Sequence, residues 1–245
     1  MVLLSVLKLI GITLNTVLFA PVVVAVSAID DRWGYRLSRV WVRINLLLSG
    51  VTVRAGHEEP LDPHAPFVFV SNHQSHFDVL AVVAALPRFQ LRWVAKKELT
   101  RIPVFGWALR HTGHIIIDRS DHVQAMRSLR AAAERMRSGI SVMIFPEGTR
   151  GHGDGAMLPW KKGGFVLAHD AGIPVVPIAI RGSADVLSRH GWEIYSGPID
   201  VLVGSAIPVA GLEPDELMRR VRVRLEAMLA PERARALSAH LAAAR

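Results

Sequence analysis

The chain has 245 residues, enough for one sizeable α/β core, and it lacks cysteine, which excludes a disulfide framework, a cysteine-bound metal and a cysteinyl acyl-enzyme. Its formal charge of +8, without the 11 histidines, predicts an anionic partner: a membrane surface, a phosphate ester or nucleic acid. We expect no nucleic-acid partner, because the sequence has no zinc-finger spacing, RNP-like aromatic strand or clear helix-turn-helix pattern.

The first 50 residues predict a pair of membrane-anchoring helices. No charged residue occurs from Leu9 to Ile29, and 21 helical residues span roughly 31 Å, close to the hydrocarbon thickness of a bilayer. Several polar residues and Pro21 weaken the case for a straight span, so spanning the membrane and lying in its interface both stay open. A signal peptide is disfavoured, because Lys8 is the only positive residue of the n-region and no convincing cleavage site follows.

A second apolar stretch, about Tyr35 to Leu48, interleaves three arginines with bulky side chains. This pattern is typical of a helix in the membrane interface, with Trp41 at headgroup depth and the arginines toward anionic lipid. The arginines after Ile29 should keep the rest of the chain on the cytoplasmic side. The composition, rich in alanine and arginine, suggests a bacterium, so we expect the cytoplasmic face of a bacterial inner membrane.

From residue 51 to 245 strand-like and helical patterns alternate. Strands are predicted at Val51–Arg54, Pro66–Ser71, Leu91–Ala95, His114–Ile117, Ile140–Phe145, Val175–Ile180 and Ile199–Val203. Helices are predicted at Val79–Leu86, Val104–His111, His122–Arg137, Gly164–Ala171, Pro214–Ala230 and Pro231–Arg245. The alternation predicts an α/β fold: a mixed, largely parallel sheet with helices on both faces, preceded by the two-helix anchor.

A histidine and an aspartate follow the second predicted strand as Asn72-His73-x4-Asp78. Residues i and i+5 do not share a helix face, so His73 must lie in the loop and Asp78 in the first helical turn, where the helix dipole favours an acid. A paired histidine and carboxylate form a general base with an orienting partner. The alternative is an ordinary strand-to-helix turn whose histidine is merely polar.

A second motif, Phe145-Pro146-Glu147-Gly148-Thr149-Arg150, follows another apolar strand and opens a glycine-rich loop over 151–155. Glycines let backbone N–H groups approach an anion, and an arginine fork matches phosphate oxygens in pairs. An ordinary turn also fits this motif. It does not explain why both motifs follow strand ends, where α/β sheets gather their ligands.

Four blocks in this order carry a resemblance to a known family: Asn72-His73-x4-Asp78, Gly113 to Arg119, Phe145 to Arg150, and Val176 to Ile180. The segments Ala95 to Leu99 and Ile102 to Trp107, between the first two blocks, fit it as well. Over about residues 50–205 the chain resembles the 1-acylglycerol-3-phosphate (lysophosphatidate) acyltransferases of the glycerolipid acyltransferase superfamily. The resemblance also favours the two-helix anchor over residues 1–50, followed by an acyltransferase domain over 51–245.

The resemblance implies an acyl thioester, acyl-CoA or acyl-carrier protein, as co-substrate, with no further cofactor and no metal. His73 would deprotonate the acceptor hydroxyl, and Asp78 would orient and stabilise its imidazole. The residues implied in binding the acceptor's phosphate and glycerol are Lys96, Glu147, Gly148, Thr149 and Arg150, with Asn72, Arg119 and Lys161 as further candidates. Gly148 is needed for its backbone conformation, whereas Arg150 supplies charge and Glu147 positions the hydroxyl or the arginine.

Other interpretations stay open. The acceptor is expected to be lysophosphatidate, but another lysophospholipid or a lyso-aminolipid would fit the same motifs. A metal-dependent hydrolase using His73, His76 and Asp78 is a second class, and a catalytically inert membrane-binding module is a third. Ser71 or Ser75 could act as a nucleophile, although no Gly-x-Ser-x-Gly elbow occurs. Membrane lipid is an expected partner both of an acyltransferase and of an inert membrane-binding module.

A group of apolar residues after the third predicted strand has two interpretations. Trp93, Phe105 and Trp107, with Ile102, Pro103 and Val104, could line an acyl-chain tunnel or simply belong to the core. A similar choice applies to Val176–Ile180, for which a buried strand is the simpler interpretation.

Overall fold

A computed structural model describes residues 2–118, 124, 128, 131–134, 136, 139–152 and 156–230. The strands are β1 (Val51–His57), β2 (Val68–Ser71), β3 (Leu91–Lys96), β4 (Ile115–Ile117), β5 (Ser141–Ile144), β6 (Val175–Arg181) and β7 (Gly197–Val203). The helices are α1 (Val2–Ile29), α2 (Asp31–Ser49), α3 (Phe77–Ala85), a 3₁₀ helix (Lys97–Arg101), α4 (Phe105–His111), α5 (Gly163–Ala171), α6 (Ser183–Val186) and α7 (Pro214–Leu229).

All seven predicted strands are confirmed, with ends that shift by one to three residues. The predicted helices between residues 79 and 111, and those at 164–171 and 214–230, are confirmed as α3, α4, α5 and α7. The prediction for Pro231–Arg245 lies outside the described residues, and that for His122–Arg137 lies largely outside them. Sequence reasoning missed the 3₁₀ helix and α6, both of which are short.

The strands form one mixed sheet in the order β1-β7-β6-β2-β5-β3-β4. All neighbours pair in parallel except β6 and β7, so β1 and β7 run opposite to the other five strands. The predicted mixed, largely parallel sheet is therefore confirmed. The carboxyl ends of β2, β5 and β3 lie at the same edge, which is where open α/β sheets bind their ligands.

The central strands are buried on both faces. Every residue of β2 and β5 is buried, as are the first six of β6. Because side chains alternate along a strand, Phe69 packs with α2 and α3 on one face, while Val68 and Val70 pack with α5 and α7 on the other. Helices thus cover both faces, as predicted, and they give rigid support to the carboxyl ends of the central strands.

Helices α1 and α2 pack against each other through polar side chains. The Asn15 amide donates to the Trp41 carbonyl at 3.1 Å and to Asn45 Oδ1 at 2.8 Å. The Trp41 indole N–H donates to Thr16 Oγ1 at 3.1 Å. The expectation that Trp41 lies at headgroup depth is not supported, because its indole N–H binds Thr16 of α1 and does not face outward toward lipid. The exposed tryptophan of α2 is Trp33.

Helix α1 turns its polar residues toward the protein and its apolar residues outward. Lys8 is buried, and its Nζ donates to the Ile194 carbonyl at 3.0 Å and to Ser196 Oγ at 2.9 Å. On the opposite face Leu3 is 72% and Leu18 68% exposed. Among the described residues, α1 alone is long and apolar enough to cross a membrane, a criterion that core helices and signal sequences also meet.

Candidate active site

The first motif begins with an asparagine that holds the end of β2 against β6. Asn72 is buried, and its Nδ2 donates to the Ile180 carbonyl at 2.9 Å. The Ile180 N–H donates to Asn72 Oδ1, also at 2.9 Å. The side chain therefore continues the strand pairing beyond Ser71. Asn72 was a further candidate for contact with the acceptor, and the hydrogen bonds that the structure shows give its side chain a positioning role.

His73 and Asp78 meet as the spacing predicts. His73 lies in the loop after β2, Asp78 lies in the first turn of α3, and Nδ1 is 2.8 Å from Asp78 Oδ2. The same oxygen accepts the backbone N–H groups of Gln74 at 2.6 Å and Ser75 at 2.9 Å. Asp78 is fully buried, and the His73 side chain is 16% exposed. With Nδ1 engaged, Nε2 has no hydrogen-bond partner in the described part of the chain and can receive a proton from a bound substrate.

An aromatic ring fixes the plane of the imidazole. The Phe145 ring, at the end of β5, stacks on His73 with centroids 4.0 Å apart and planes 13° apart. Phe145 in turn stacks on Trp93 at 5.8 Å. Sequence reasoning treated Phe145 as the end of a strand and missed this contact. The sequence showed that both motifs follow strand ends, but not that the two strands are neighbours in the sheet.

The two serines of the first motif are used structurally. Ser71 Oγ donates to the Asn72 carbonyl at 3.0 Å, and Ser75 Oγ donates to the Leu187 carbonyl at 2.8 Å. Both are buried, and neither hydroxyl bonds to the imidazole. The arrangement gives no support to a seryl nucleophile. His76 immediately precedes α3 at the N-cap position, in line with its predicted place at the helix start.

The second motif clamps the backbone of His73. The buried Glu147 accepts the His73 N–H at 2.9 Å through Oε1 and the Leu158 N–H at 2.8 Å through Oε2. On the other side of His73, its carbonyl accepts the Gly151 N–H at 2.6 Å. Burial raises the pKa of the Glu147 carboxyl, against the lowering effect of the two backbone donors. Both carboxylate oxygens thus bind backbone, an arrangement that the sequence motif did not reveal.

The turn within this motif depends on glycine. Gly148 has a φ of 69°, a left-handed conformation that favours glycine, and its N–H donates to the Phe145 carbonyl at 3.0 Å. The turn carries Thr149 and Arg150, which are both half-buried, toward the first motif. The expected conformational role of Gly148 is confirmed.

Arg150 brings positive charge to the histidine–aspartate pair. Desolvation, and then the neighbouring Arg189, lowers the pKa of the Arg150 guanidinium, while Asp78 acts in the opposite direction. Desolvation followed by the Arg150 charge likewise lowers the pKa of His76. The Arg150 charge thus acts on both His76 and Asp78, and the N–H of the next residue, Gly151, bonds to the His73 carbonyl, which holds this turn against the first motif. No motif pointed to Arg189, which lies 39 positions after Arg150 in the numbering.

The remaining candidates are less closely gathered. Lys96 is half-buried at the carboxyl end of β3, on the same sheet edge. Lys161 is exposed, and its backbone N–H donates to the Pro146 carbonyl at 2.9 Å. Arg119 lies outside the described residues. Asp118, for which a pairing with Arg119 was one possibility, binds Lys97 Nζ at 2.8 Å.

Two further predictions concern a tunnel and a metal. Phe105 lines a cavity of about 110 Å³ between α1, α2 and α4, whereas Trp107 is 38% exposed and does not line it. Within the described residues, no group of three or more histidine, aspartate or glutamate side chains is arranged to hold a metal ion.

Comparison with known proteins gives consistent matches. The Acyltransferase family model matches residues 52–181. The 1-acyl-sn-glycerol-3-phosphate acyltransferase of Pseudomonas aeruginosa is 36% identical over 178 residues, 71% of this chain and 68% of that protein. The corresponding alpha enzyme of Homo sapiens is 38% identical over 168 residues, 68% of this chain. That match spans 58% of the human protein, less than two thirds of its length.

A solved structure has the same fold. The crystal structure of the 1-acyl-sn-glycerophosphate (LPA) acyltransferase from Thermotoga maritima superposes with a TM-score of 0.78. The superposition covers 93% of this chain and 94% of that one, at 23% sequence identity.

Proposed function

We propose that this chain, which belongs to the Acyltransferase family, acylates the sn-2 hydroxyl of 1-acylglycerol 3-phosphate to give phosphatidate. The donor is an acyl thioester, acyl-CoA or acyl-carrier protein. The observation that carries the proposal is the buried Asp78 bound to His73 Nδ1, beside Arg150 at the ligand-binding edge of the sheet. The names of the matched relatives support this choice of acceptor.

In the proposed reaction His73 is the general base. Its Nε2 takes the proton of the acceptor hydroxyl while the oxygen attacks the thioester carbonyl carbon. The carbon–oxygen bond forms, the carbon–sulfur bond breaks, and the leaving thiolate takes the proton back from the imidazolium. Asp78 holds the Nδ1–H tautomer and stabilises the imidazolium while it exists. A thioester is already activated, so a positioned base suffices and no acyl-enzyme is needed.

The acceptor's phosphate is placed by positive charge around this pair. Arg150 binds the phosphate, and Lys96 approaches it from the end of the neighbouring strand. Thr149 contributes a hydroxyl on the same turn. Glu147 does not contact the acceptor itself, because both of its carboxylate oxygens bind backbone N–H groups, at His73 and at Leu158. Its role is to hold these two segments in position. Phe145 forms an apolar wall that keeps water from one face of the imidazole.

The membrane is the proposed source of the acceptor. An outward apolar face on α1, opposite buried polar residues, is the reverse of a soluble protein's pattern and fits contact with lipid. Lys8 binds the segment at Ile194, while residues near Val23 line the cavity against α4. A helix attached to the domain at both ends would lie in the interface of one leaflet rather than cross it. We place that leaflet on the cytoplasmic side of a bacterial membrane, where acyl thioesters are available.

An acceptor panel tests the proposal. Detergent-solubilised protein is offered lysophosphatidate, lysophosphatidylglycerol and a lyso-aminolipid, each with acyl-CoA and with acyl-carrier protein, and labelled product is measured. We expect phosphatidate to form fastest, and His73→Ala to be inactive at equal protein. Turnover by the wild-type protein would exclude an inert module. Acylation of none of the acceptors would refute the proposal, and loss of activity with a chelator would support the metal-dependent class.

A further inference from the structure

The loop after α6 lies against the turn that carries the proposed base. Ser75, two residues after His73, donates its hydroxyl to the Leu187 carbonyl at 2.8 Å, although the two residues are 112 positions apart. Leu187 is buried in the same core cluster as Phe77, the first residue of α3. Arg189 lies two residues further along this loop and is half-buried. Arg150 is held against the same turn from the other side, because the N–H of the next residue, Gly151, donates to the His73 carbonyl at 2.6 Å.

Arg189 and Arg150 carry like charges that act on each other, and neither has a directly bonded anionic partner among the described residues. Desolvation, and then the charge of Arg189, lowers the pKa of the Arg150 guanidinium, while Asp78 acts in the opposite direction. Neither guanidinium forms an ion pair or hydrogen bond with any residue that the structure describes. Other arginines with restricted exposure do have partners: Arg54 binds Asp200 at 2.5 Å, and Arg92 binds Asp31 at 2.6 Å.

Two half-buried like charges repel each other, and the nearby Asp78 carboxylate forms its hydrogen bonds with His73 and two backbone N–H groups rather than with either arginine. Such an arrangement is characteristic of functional sites, where stability is given up for ligand binding. The ligand that would relieve the repulsion is an anion with enough charge for two guanidinium groups.

We propose that Arg189 is a second phosphate-binding residue, which together with Arg150 makes the site selective for a phosphomonoester over a phosphodiester. This inference rests on the proposed function, because it concerns the acceptor of the same reaction. A phosphomonoester carries a charge of about −1.5 to −2 at neutral pH and presents three acceptor oxygens. Guanidinium groups bind such oxygens in pairs, so two arginines match a terminal phosphate.

A phosphodiester lacks the second negative charge and one of the terminal oxygens. It can satisfy one arginine fork and leaves the other guanidinium poorly neutralised. Arg189 should therefore contribute to the binding of lysophosphatidate and contribute little to the binding of lysophosphatidylglycerol.

The test compares Arg189→Gln and Arg189→Lys with the wild-type protein and with Arg220→Gln. Arg220 is an exposed arginine on α7 that pairs with Glu216, so its substitution makes the same charge change away from the site. Steady-state kinetics are measured for lysophosphatidate and for lysophosphatidylglycerol with one donor. The unfolding midpoint of each full-length variant is measured as well.

We expect Arg189→Gln to raise KM for lysophosphatidate by about tenfold to a hundredfold, the effect of losing a hydrogen bond between charged groups. We expect kcat, and KM for lysophosphatidylglycerol, to change by less than about threefold. Arg189→Lys should recover part of the loss, and Arg220→Gln should behave as wild type. The unfolding midpoint of Arg189→Gln should stay the same or rise, because a repulsion is removed.

Equal losses on both acceptors, or a fall in the unfolding midpoint together with both activities, would overturn the assignment in favour of a structural role. Unchanged kinetics in Arg189→Gln would also overturn it, while leaving the acyltransferase function in place. Failure of the wild-type protein to acylate either acceptor would instead refute the proposed function.

Discussion

Asp78→Asn separates the charge of this residue from its shape. Asp78 Oδ2 receives three hydrogen bonds, from the His73 ring and from two backbone N–H groups, whereas Oδ1 is buried without a partner among the described residues. An asparagine with its oxygen at the Oδ2 position keeps all three bonds. Its amide nitrogen then occupies the Oδ1 position without an acceptor, which costs about 1–3 kcal/mol of stability.

The effect on catalysis should be much larger than the effect on folding. A general base contributes about 10²–10⁴-fold to a rate, equivalent to about 2.7–5.5 kcal/mol of activation free energy. An imidazolium beside a neutral amide loses most of that stabilisation, so kcat of Asp78→Asn should fall by nearly the full factor. Asp78 acts only through His73. The double variant His73→Ala/Asp78→Asn should therefore be no slower than His73→Ala alone.

The assay is the initial rate of phosphatidate formation at saturating substrates, combined with urea unfolding of each variant. We expect the free energy of unfolding of Asp78→Asn to lie within about 3 kcal/mol of the wild-type value. We also expect the rate losses of the two single variants not to add in the double variant. Multiplicative losses in the double variant, or an Asp78→Asn enzyme with wild-type kcat, would refute the role of Asp78 as the partner of the base.

Three other predictions concern the buried carboxyl of Glu147, the exposed leucines of α1 and the crowded backbone at Gly106. Because burial raises the pKa of Glu147 above its ordinary value of 4.5, its contribution to the free energy of unfolding declines as the pH rises from 4.5 through the raised pKa. The free energy of urea unfolding, measured across this pH range, should show the decline in the wild-type protein and not in Glu147→Gln. Replacing the exposed Leu14 and Leu18 together by serine should weaken flotation with anionic vesicles about tenfold without changing the unfolding midpoint, and unchanged flotation would contradict lipid contact. A Cβ at Gly106 would lie 2.5 Å from a backbone carbonyl, so Gly106→Ala should cost about 1–3 kcal/mol in unfolding experiments. Gly11→Ala, where the nearest atom is 3.4 Å away, should be tolerated.

Local patterns were sufficient for the secondary structure and for the histidine–aspartate pair. Strand alternation and helical periodicity depend on residues within a few positions of each other, so the seven strands and the five-residue spacing of His73 and Asp78 could be interpreted directly. The structure then shows the two side chains 2.8 Å apart. The order of the four motifs added the family, and with it the expected phosphate-binding arginine.

Contacts between distant segments could not be predicted in this way. Glu147 and Asn72 carry ordinary polar side chains whose partners, His73 and Ile180, lie 74 and 108 positions away. The stacking of Phe145 on His73 requires β2 and β5 to be adjacent, a pairing that alternation alone does not specify.

The sequence by itself determined the alternating strands and helices, the pairing of a histidine with a carboxylate, and the apolar N-terminus, because each is encoded in neighbouring residues. Only the tertiary structure decided that the polar face of α1 is turned inward and that Arg189 lies beside Arg150. The physical reason is that burial and electrostatic repulsion depend on distances through space. Those distances are set when the sheet and its helices pack together.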